Sequence, residues 1–366
     1  MKEIKVSKRE EGGTLLKLLR KYLREAPDSF FYKMLRKENI TLNGKRAGGK
    51  EKLAEGDSIR LFFRDETIRN FGGAAFFELS EYREEGRREG AIAKIEELEK
   101  KGKFSANAKN QPEILYEDED LLFLNKPVGW LVQKASREDF SLNEWMLSYL
   151  LRTGKITPKE LLIFRPGICN RLDRNTSGIV AAGKTLAGLQ FLSGAFNART
   201  LHKYYTCIAV GEITQPARLE GYLKKDAKEN RVQVFSVLQE GEEGSFVRTA
   251  YRPIEIKNGC TYLEVELFTG KTHQIRAHLA GNGHSILGDI KYSDAAGLAL
   301  SRQYRVKSQL LHAKRLIFSK DQDQMGKFSY MSEREITAKE PETFQKVKER
   351  LGFIAKEEDF HFNKCE

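Results

Sequence analysis

Ten consecutive residues, Cys169-Asn170-Arg171-Leu172-Asp173-Arg174-Asn175-Thr176-Ser177-Gly178, concentrate the chemistry of this chain. One carboxylate, Asp173, stands between two guanidinium groups and is followed by small or polar turn formers. Apolar runs precede it at Leu161 to Phe164 and follow it at Ile179 to Ala182. Short apolar runs bounded by turn residues read as strands, which puts Asp173 where strands meet a loop. With the Arg-Leu-Asp triplet extended, Arg171 and Asp173 point to one face, because side chains alternate along a strand. A cation that close favours the charged carboxylate, ready to serve as nucleophile or base. An Arg-Asp-Arg cluster serves equally well to pin a turn, so the decision rests on what accompanies it.

What accompanies it is an ordered set of further segments. The ten-residue stretch resembles the signature of the RluA-type RNA pseudouridine synthases, His-Arg-Leu-Asp-x-x-Thr-Ser-Gly, with Asn170 in place of the histidine. Glu117-Asp118 through Asn125-Lys126-Pro127-Val128-Gly129 resembles that family's opening strand and turn, and Lys203-Tyr204-Tyr205 its Lys-x-Tyr strand. Leu267 through His278, with Gly288-Asp289 and Tyr292 behind it, resembles its third motif, with Lys271 where arginine is usual. The likeness spans roughly residues 112 to 353.

The resemblance implies an isomerase that breaks the bond from ribose C1′ to N1 of uracil, turns the base and rejoins C1′ to C5. Nothing is oxidised or added, so no cofactor or metal is expected. It implies Asp173 as the catalytic carboxylate, Tyr205 as the ring that stacks on the base and a candidate for moving the C5 proton, and Arg276 as a second cation holding Asp173. Arg171 is implied as the residue beside the nucleophile that helps extrude the nucleotide, and Arg174 as a further RNA contact. A base taken out of its stack costs a few kcal/mol and calls for such an aromatic face.

Bulk composition agrees with a nucleic-acid partner. In 366 residues, 63 Lys and Arg face 52 Asp and Glu, a net charge of +11 that favours a polyanion. Cysteines 169, 207, 260 and 365 are widely spaced with no CxxC, which reads as reduced thiols in a cytoplasmic protein. No run approaches the ~18 apolar residues of a membrane span, so neither export nor membrane insertion is expected.

The charge is concentrated at one end. Residues 1 to 60 hold 16 Lys and Arg against 9 Asp and Glu. Leu15, Leu16, Leu18, Leu19, Tyr22 and Leu23 recur at helical spacing behind Thr14, a plausible cap, and a second helix is expected over Ser29 to Lys37. Ile40 to Lys45 reads as a strand entering an Asn-Gly turn, and Gly56 to Phe62 as another strand. Lys33, Arg36, Lys37, Lys45 and Arg46 would then form a basic rim suited to phosphates. This layout resembles the small alpha-L RNA-binding motif.

The expected architecture is therefore α+β: a mixed, largely antiparallel sheet domain with flanking helices over 112–355, preceded by a small α/β RNA-binding module over 1–62. A charged helical connector is expected over 63–111, helical from Glu81 to Lys103, and a tail over 356–366. Strands are expected at Leu121 to Leu124, Ile179 to Ala182, Tyr204 to Val210 and Tyr262 to Leu267, and a last helix from Pro341 to Leu351. The expected partner is RNA, ribosomal or its precursor ahead of transfer RNA, and the expected state a monomer.

Two other patterns compete. Gly178 to Thr185 fits the G-x-x-x-x-G-K-[ST] letters of a phosphate-cradling loop. Its β-branched, apolar interior reads as a strand instead, so Lys184→Ala is expected to leave activity and stability near wild type. His273, His278, His284 and His312 lack the spacing of a metal site and are expected to make structural hydrogen bonds. A non-catalytic RNA-binding or ribosome-assembly factor would also use a basic module, but it would not need Asp173, Tyr205 and Arg276 together.

Overall fold

The computed structural model describes residues 1–77, 110–136, 139–226, 231–239, 243–320 and 325–354. The helix expected from Glu81 to Lys103 and the tail at 356–366 lie outside the described residues.

The N-terminal unit comprises β1 (Lys2–Lys5), α1 (Leu15–Tyr22), α2 (Asp28–Arg36), β2 (Ile40–Leu42), β3 (Lys45–Arg46), β4 (Ser58–Leu61) and α3 (Asp65–Asn70). Its antiparallel sheet runs β1-β4-β2-β3. Asn43 and Gly44, at φ 50° and 73°, supply the two left-handed positions that a tight hairpin between β2 and β3 requires. Leu15, Leu18, Leu19 and Tyr22 bury one stripe of α1 against Phe31, Leu35, Ile40 and Ile59. The core does not stop at residue 62, because Phe63, Ile68, Ala75 and Phe77, read from the sequence as the start of the connector, are buried in it.

The larger unit comprises β5 (Glu113–Glu117), β6 (Leu121–Lys126), α4 (Leu142–Arg152), α5 (Pro158–Ile163), β7 (Gly167–Ile168), β8 (Ser177–Gly183), α6 (Leu186–Ala198), β9 (Leu201–Val210), β10 (Ala217–Asp226) and β11 (Arg231–Phe235). It continues with β12 (Ser245–Lys257), β13 (Cys260–Leu267), α7 (Gln274–Gly281), α8 (Ala295–Gln303), β14 (Leu311–Phe318), β15 (Glu335–Thr337) and α9 (Glu342–Leu351). The strands run β11-β10-β12-β13-β9-β14-β8-β6-β5, with β15 on β14 and β7 on β8. Neighbours are antiparallel except β14 and β8. This is the mixed, largely antiparallel α+β sheet that was expected. Both faces of its middle are covered: Leu122, Leu124, Val180 and Ala182 pack on Leu142, Met146 and Leu150 of α4, while Phe123, Ile179 and Ala181 pack with Leu192 of α6 on the other side.

One expected strand is a helix. Leu161 to Ile163 belong to α5, where Thr157 accepts from the Glu160 amide, Glu160 caps in return and Pro158 occupies the first turn. That box satisfies orphan amide groups at the helix start and outweighs a short apolar run. The strand before Asp173 is instead the two-residue β7. The units touch directly: the Leu186 amide donates to the Arg9 carbonyl at 2.9 Å, Arg9 pairs with Glu160 at 3.3 Å, and Ile163 packs on the N-terminal core.

The parallel crossing of β8 and β14 needs glycine. Gly178 has φ 110°, and a Cβ there would lie 2.2 Å from the Ala313 carbonyl oxygen. Beside it Ser177 Oγ lies 2.9 Å from His312 Nδ1, and His312 Nε2 lies 3.1 Å from the Ala338 carbonyl. A carbonyl only accepts, so Nε2 carries the proton and Nδ1 accepts from the serine. Burial pushes the His312 imidazole down to about 4, and likewise His278. Unfolded, each binds its proton near pH 6.5, so between about 6.5 and 4 the unfolded chain holds more protons than the folded one. Stability is therefore expected to fall as pH drops through that window, by up to ~1.4 kcal/mol per pH unit for each histidine. Urea unfolding of His312→Gln against the parent, from pH 7 to 5, checks this through a shallower slope in the variant.

Candidate active site

Three distant parts of the chain meet at Asp173. It lies in the loop from β7 to β8, whose turn is closed by the Thr176 amide donating to the Asp173 carbonyl at 3.1 Å. Arg276, in the first turn of α7, donates through Nη1 to Asp173 Oδ2 at 2.8 Å. Tyr205, on β9 between Val265 of β13 and Ala313 of β14, is buried, and burial followed by the negative charge of Asp173 raises its phenol well above the ordinary value.

Arg276 is itself held from behind. Its Nε donates to Asp289 Oδ2 at 2.6 Å and its Nη2 to Asp289 Oδ1 at 2.8 Å. Asp289 is 1 % exposed. A planar guanidinium gripped bidentately on one edge has a fixed direction, so its remaining N–H is aimed at Asp173. Burial opposes the charge on Arg276, but the bonds and charge of Asp289, reinforced by Asp173, outweigh it and raise the guanidinium above its usual value. The sequence placed Asp289 within a motif without giving it this task. A lone acidic residue after glycine announced nothing else.

Lys126 holds the other side of the loop. It is fully buried and donates to the carbonyls of Pro127, Trp130 and Arg174 at 3.0, 2.9 and 3.0 Å. Burial pushes its ammonium down to about 7 against the pull of Asp173. Asn170 braces the entry strand, its amide nitrogen donating to the Ile179 carbonyl at 3.2 Å and its oxygen accepting from the Ala181 amide at 2.8 Å. The residue that departs from the family signature thus extends the β8 ladder.

His273 closes the front. It caps α7 in the left-handed region at φ 54°, and its Nδ1 lies 3.0 Å from the Tyr292 hydroxyl. That hydroxyl also accepts from the Val232 amide at 3.0 Å, and His273 Nε2 lies 3.8 Å from Asp173 Oδ2. Burial lowers the His273 imidazole, with Asp173 opposing. A cavity of about 420 Å³ opens beside Arg276 and Asp289, lined also by Arg231, Ile290, Lys291 and Lys307.

The sequence chemistry pointed to Arg171 as the cation beside Asp173. Arg171 and Arg174 are instead exposed, and neither side chain forms an ion pair among the described residues, so the partner of Asp173 is Arg276 alone of the three arginines. The period-two argument fails because the triplet is loop, outside both β7 and β8. Lys33, Arg36, Lys37, Lys45 and Arg46 are all exposed, at the end of α2 and around the β2–β3 hairpin, far along the chain from the Asp173 cluster.

The competing patterns are occupied internally. The would-be phosphate cradle is strand β8, and Lys184 is spent on Glu117 Oε1 at 2.7 Å, while Thr185 donates to Asp120. Burial raises the Glu117 carboxyl, but the bonds from Lys155, Lys184 and Tyr149 outweigh it and lower the net value. Lys184 is buried, so the expectation that Lys184→Ala spares stability changes. A loss of about 1–3 kcal/mol is expected from one charged hydrogen bond, measurable by urea unfolding, with no ATP binding in either protein by calorimetry.

A sheet of this order carrying an Asp–Arg–Asp relay beside a buried tyrosine defines a class, and comparison with known proteins identifies it. Residues 120–281 match the family model described as RNA pseudouridylate synthase. The chain is 33% identical over 219 residues to ribosomal large subunit pseudouridine synthase D of Zymomonas mobilis, spanning 58% of this chain and 67% of that protein. It is 28% identical over 308 residues to ribosomal large subunit pseudouridine synthase C of Vibrio vulnificus, spanning 84% of this chain and 85% of that one. The solved structure of human RNA pseudouridylate synthase domain containing 4 shares the fold, with a TM-score of 0.52 at 19% identity over 72% of this chain and 97% of that one. The chain belongs to the RNA pseudouridylate synthase family, of the RluA type, and is an enzyme that isomerises uridine to pseudouridine.

Proposed function

We propose that this enzyme acts on a uridine of large-subunit ribosomal RNA, with Asp173 as the carboxylate that works at the ribose and no cofactor. The observation that carries the reading is the relay Asp289–Arg276–Asp173, in which Arg276, a wall of a cavity of about 420 Å³, also holds the Asp173 carboxylate at 2.8 Å. The names of the relatives support the ribosomal substrate.

Cleaving C1′–N1 releases a uracil carrying extra electron density, and rejoining C1′ to C5 ends with a proton lost from C5 and one gained at N1. Asp173, set 2.8 Å from Arg276, is placed to act at C1′ or to take the C2′ proton. Tyr205 has a raised phenol, so it stays protonated and supports the uracil by its ring rather than accepting the C5 proton. Arg171 and Arg174 stand at the rim to meet phosphates or replace the extruded base. The free thiols of Cys169, Cys207 and Cys260 suit a reducing, cytoplasmic setting, and we take the working form to be a monomer. Pseudouridine mapping of total RNA from cells with and without the gene tests the assignment: a uridine of large-subunit ribosomal RNA should lose its modification, and an unchanged map would overturn it.

The N-terminal unit is proposed to hold RNA by an alpha-L-like basic face. Its five rim cations are exposed and form no ion pair among the described residues. Deletion would tear a shared core from α5, so alanine substitution of all five is the cleaner test. Every phosphate that the protein ceases to neutralise lowers the log–log salt slope of binding by roughly 0.7 to 0.9. Titration against potassium chloride should show a flatter slope, while turnover of saturating RNA persists. An unchanged slope would remove the unit from RNA binding.

A further inference from the structure

A second and larger cavity, of about 670 Å³, adjoins the cavity beside Arg276 and Asp289. Lys307, Ser308 and Gln309 line both. We propose that this cavity receives a nucleotide flanking the target uridine on the same RNA strand. The inference rests on the synthase reading of the Asp173 site and adds to it where the neighbouring nucleotide goes.

The two cavities share Lys307, Ser308 and Gln309, which puts the second within reach of a nucleotide adjacent to one held in the first. The chemistry of the second suits it. Arg305, Lys307, Lys346 and Arg350 line it, and Arg305 and Lys307 are exposed with no ion pair among the described residues. Arg305 is held in the left-handed region at φ 54°, a conformation that a non-glycine residue keeps only where its surroundings impose it. Arg350 is tethered through Nη1 to the Tyr304 carbonyl at 2.9 Å, which leaves its other guanidinium nitrogens available. The carboxylates of the lining are engaged: Glu342 with Lys346 at 2.5 Å, and Glu113 with the Asn125 amide at 3.3 Å. Phe344, Val347 and Leu310 give an apolar floor for a base. Cations at the rim over an apolar floor, with amide side chains at Asn110 and Gln111, match a phosphate, a base face and base edges respectively.

The test uses the full chain and an unmodified transcript of the large-subunit ribosomal RNA region that carries the mapped uridine. 4-Thiouridine is placed one to three nucleotides to either side of that uridine, and irradiated complexes are digested and sequenced. Crosslinks from one side are expected in peptides containing Arg305 to Leu310 or Thr343 to Arg350. The Arg305→Ala/Arg350→Ala protein should show a several-fold higher KM on this RNA with kcat retained. Its salt slope should be lower by about 1.4, for two phosphates at ~0.7 each on single-stranded RNA. On an RNA cut back to the target uridine on the crosslinking side, the variant and the parent should behave alike. If the parent turns over the transcript but no position crosslinks to these peptides, or the variant matches the parent on the full transcript, the subsite is wrong while the synthase reading stands. If the parent makes no pseudouridine in any transcript, the synthase reading itself fails.

Discussion

Asp173→Asn is expected to fold, to bind RNA with parental affinity and to make no pseudouridine, a rate loss on the order of 10⁴-fold or more, the scale seen when an essential member of a catalytic unit is removed. The amide keeps the shape of the side chain and an oxygen that accepts from Arg276 Nη1, which lies 2.8 Å from the native carboxylate. It cannot attack C1′ or hold a proton from C2′, because its nitrogen is no base and its oxygen carries no full charge. The buried Arg276 keeps its two bonds to Asp289, so the substitution strands no buried charge and stability should change little. Nucleoside analysis of digested transcript after single turnover, with thermal unfolding and filter binding alongside, separates chemistry from folding and affinity. Turnover at the parental rate would remove Asp173 from the reaction.

Arg276→Met should be nearly as damaging and for two separable reasons. Among the described residues Arg276 is the cation paired with Asp289, which is 1 % exposed, and removing one partner of a buried pair typically costs about 3–5 kcal/mol because the other charge is stranded. It also removes the group that directs Asp173. Arg276→Lys should fail too, since a single ammonium cannot grip Asp289 on one edge and present a fixed donor to Asp173. The double variant Arg276→Met/Asp289→Leu divides the two effects. With both buried charges gone, much of the stability should return, while turnover should stay absent because nothing orients the Asp173 carboxylate. Urea unfolding and nucleoside analysis on the same preparations make the comparison. A double variant that regained both stability and turnover would make Arg276 a purely structural residue.

Family relation and fold class were legible because each motif is short and local. Turn formers after Asp173, the alternation of Tyr204 to Val210 and the helical spacing of Leu15 to Leu23 are properties of neighbouring residues, which secondary structure obeys. The errors came from local signals set against other local signals. Leu161 to Ile163 looked like a strand until the Thr157–Glu160 capping box, itself readable in the sequence, is given its weight. Strand β1 escaped notice because, of Lys2 to Lys5, only Ile4 is buried, and a single inward side chain makes no pattern.

By itself the sequence determined that this chain carries a carboxylate among arginines in a turn, a basic N-terminal unit and the strands of a largely antiparallel sheet. The tertiary structure decided between the two arginines held out for Asp173, keeping Arg276, which the resemblance implied, and leaving Arg171 exposed. The partner of Asp173 lies 103 residues away, brought there because β9, β13 and β14 pair across the sheet and α7 packs beside them, and such pairings depend on burial summed over the whole core rather than on spacing along the chain. The same summation turned Asp289 and Lys126 into buried supports of the site, since the cost of burying a charge is met by partners that only the folded chain assembles.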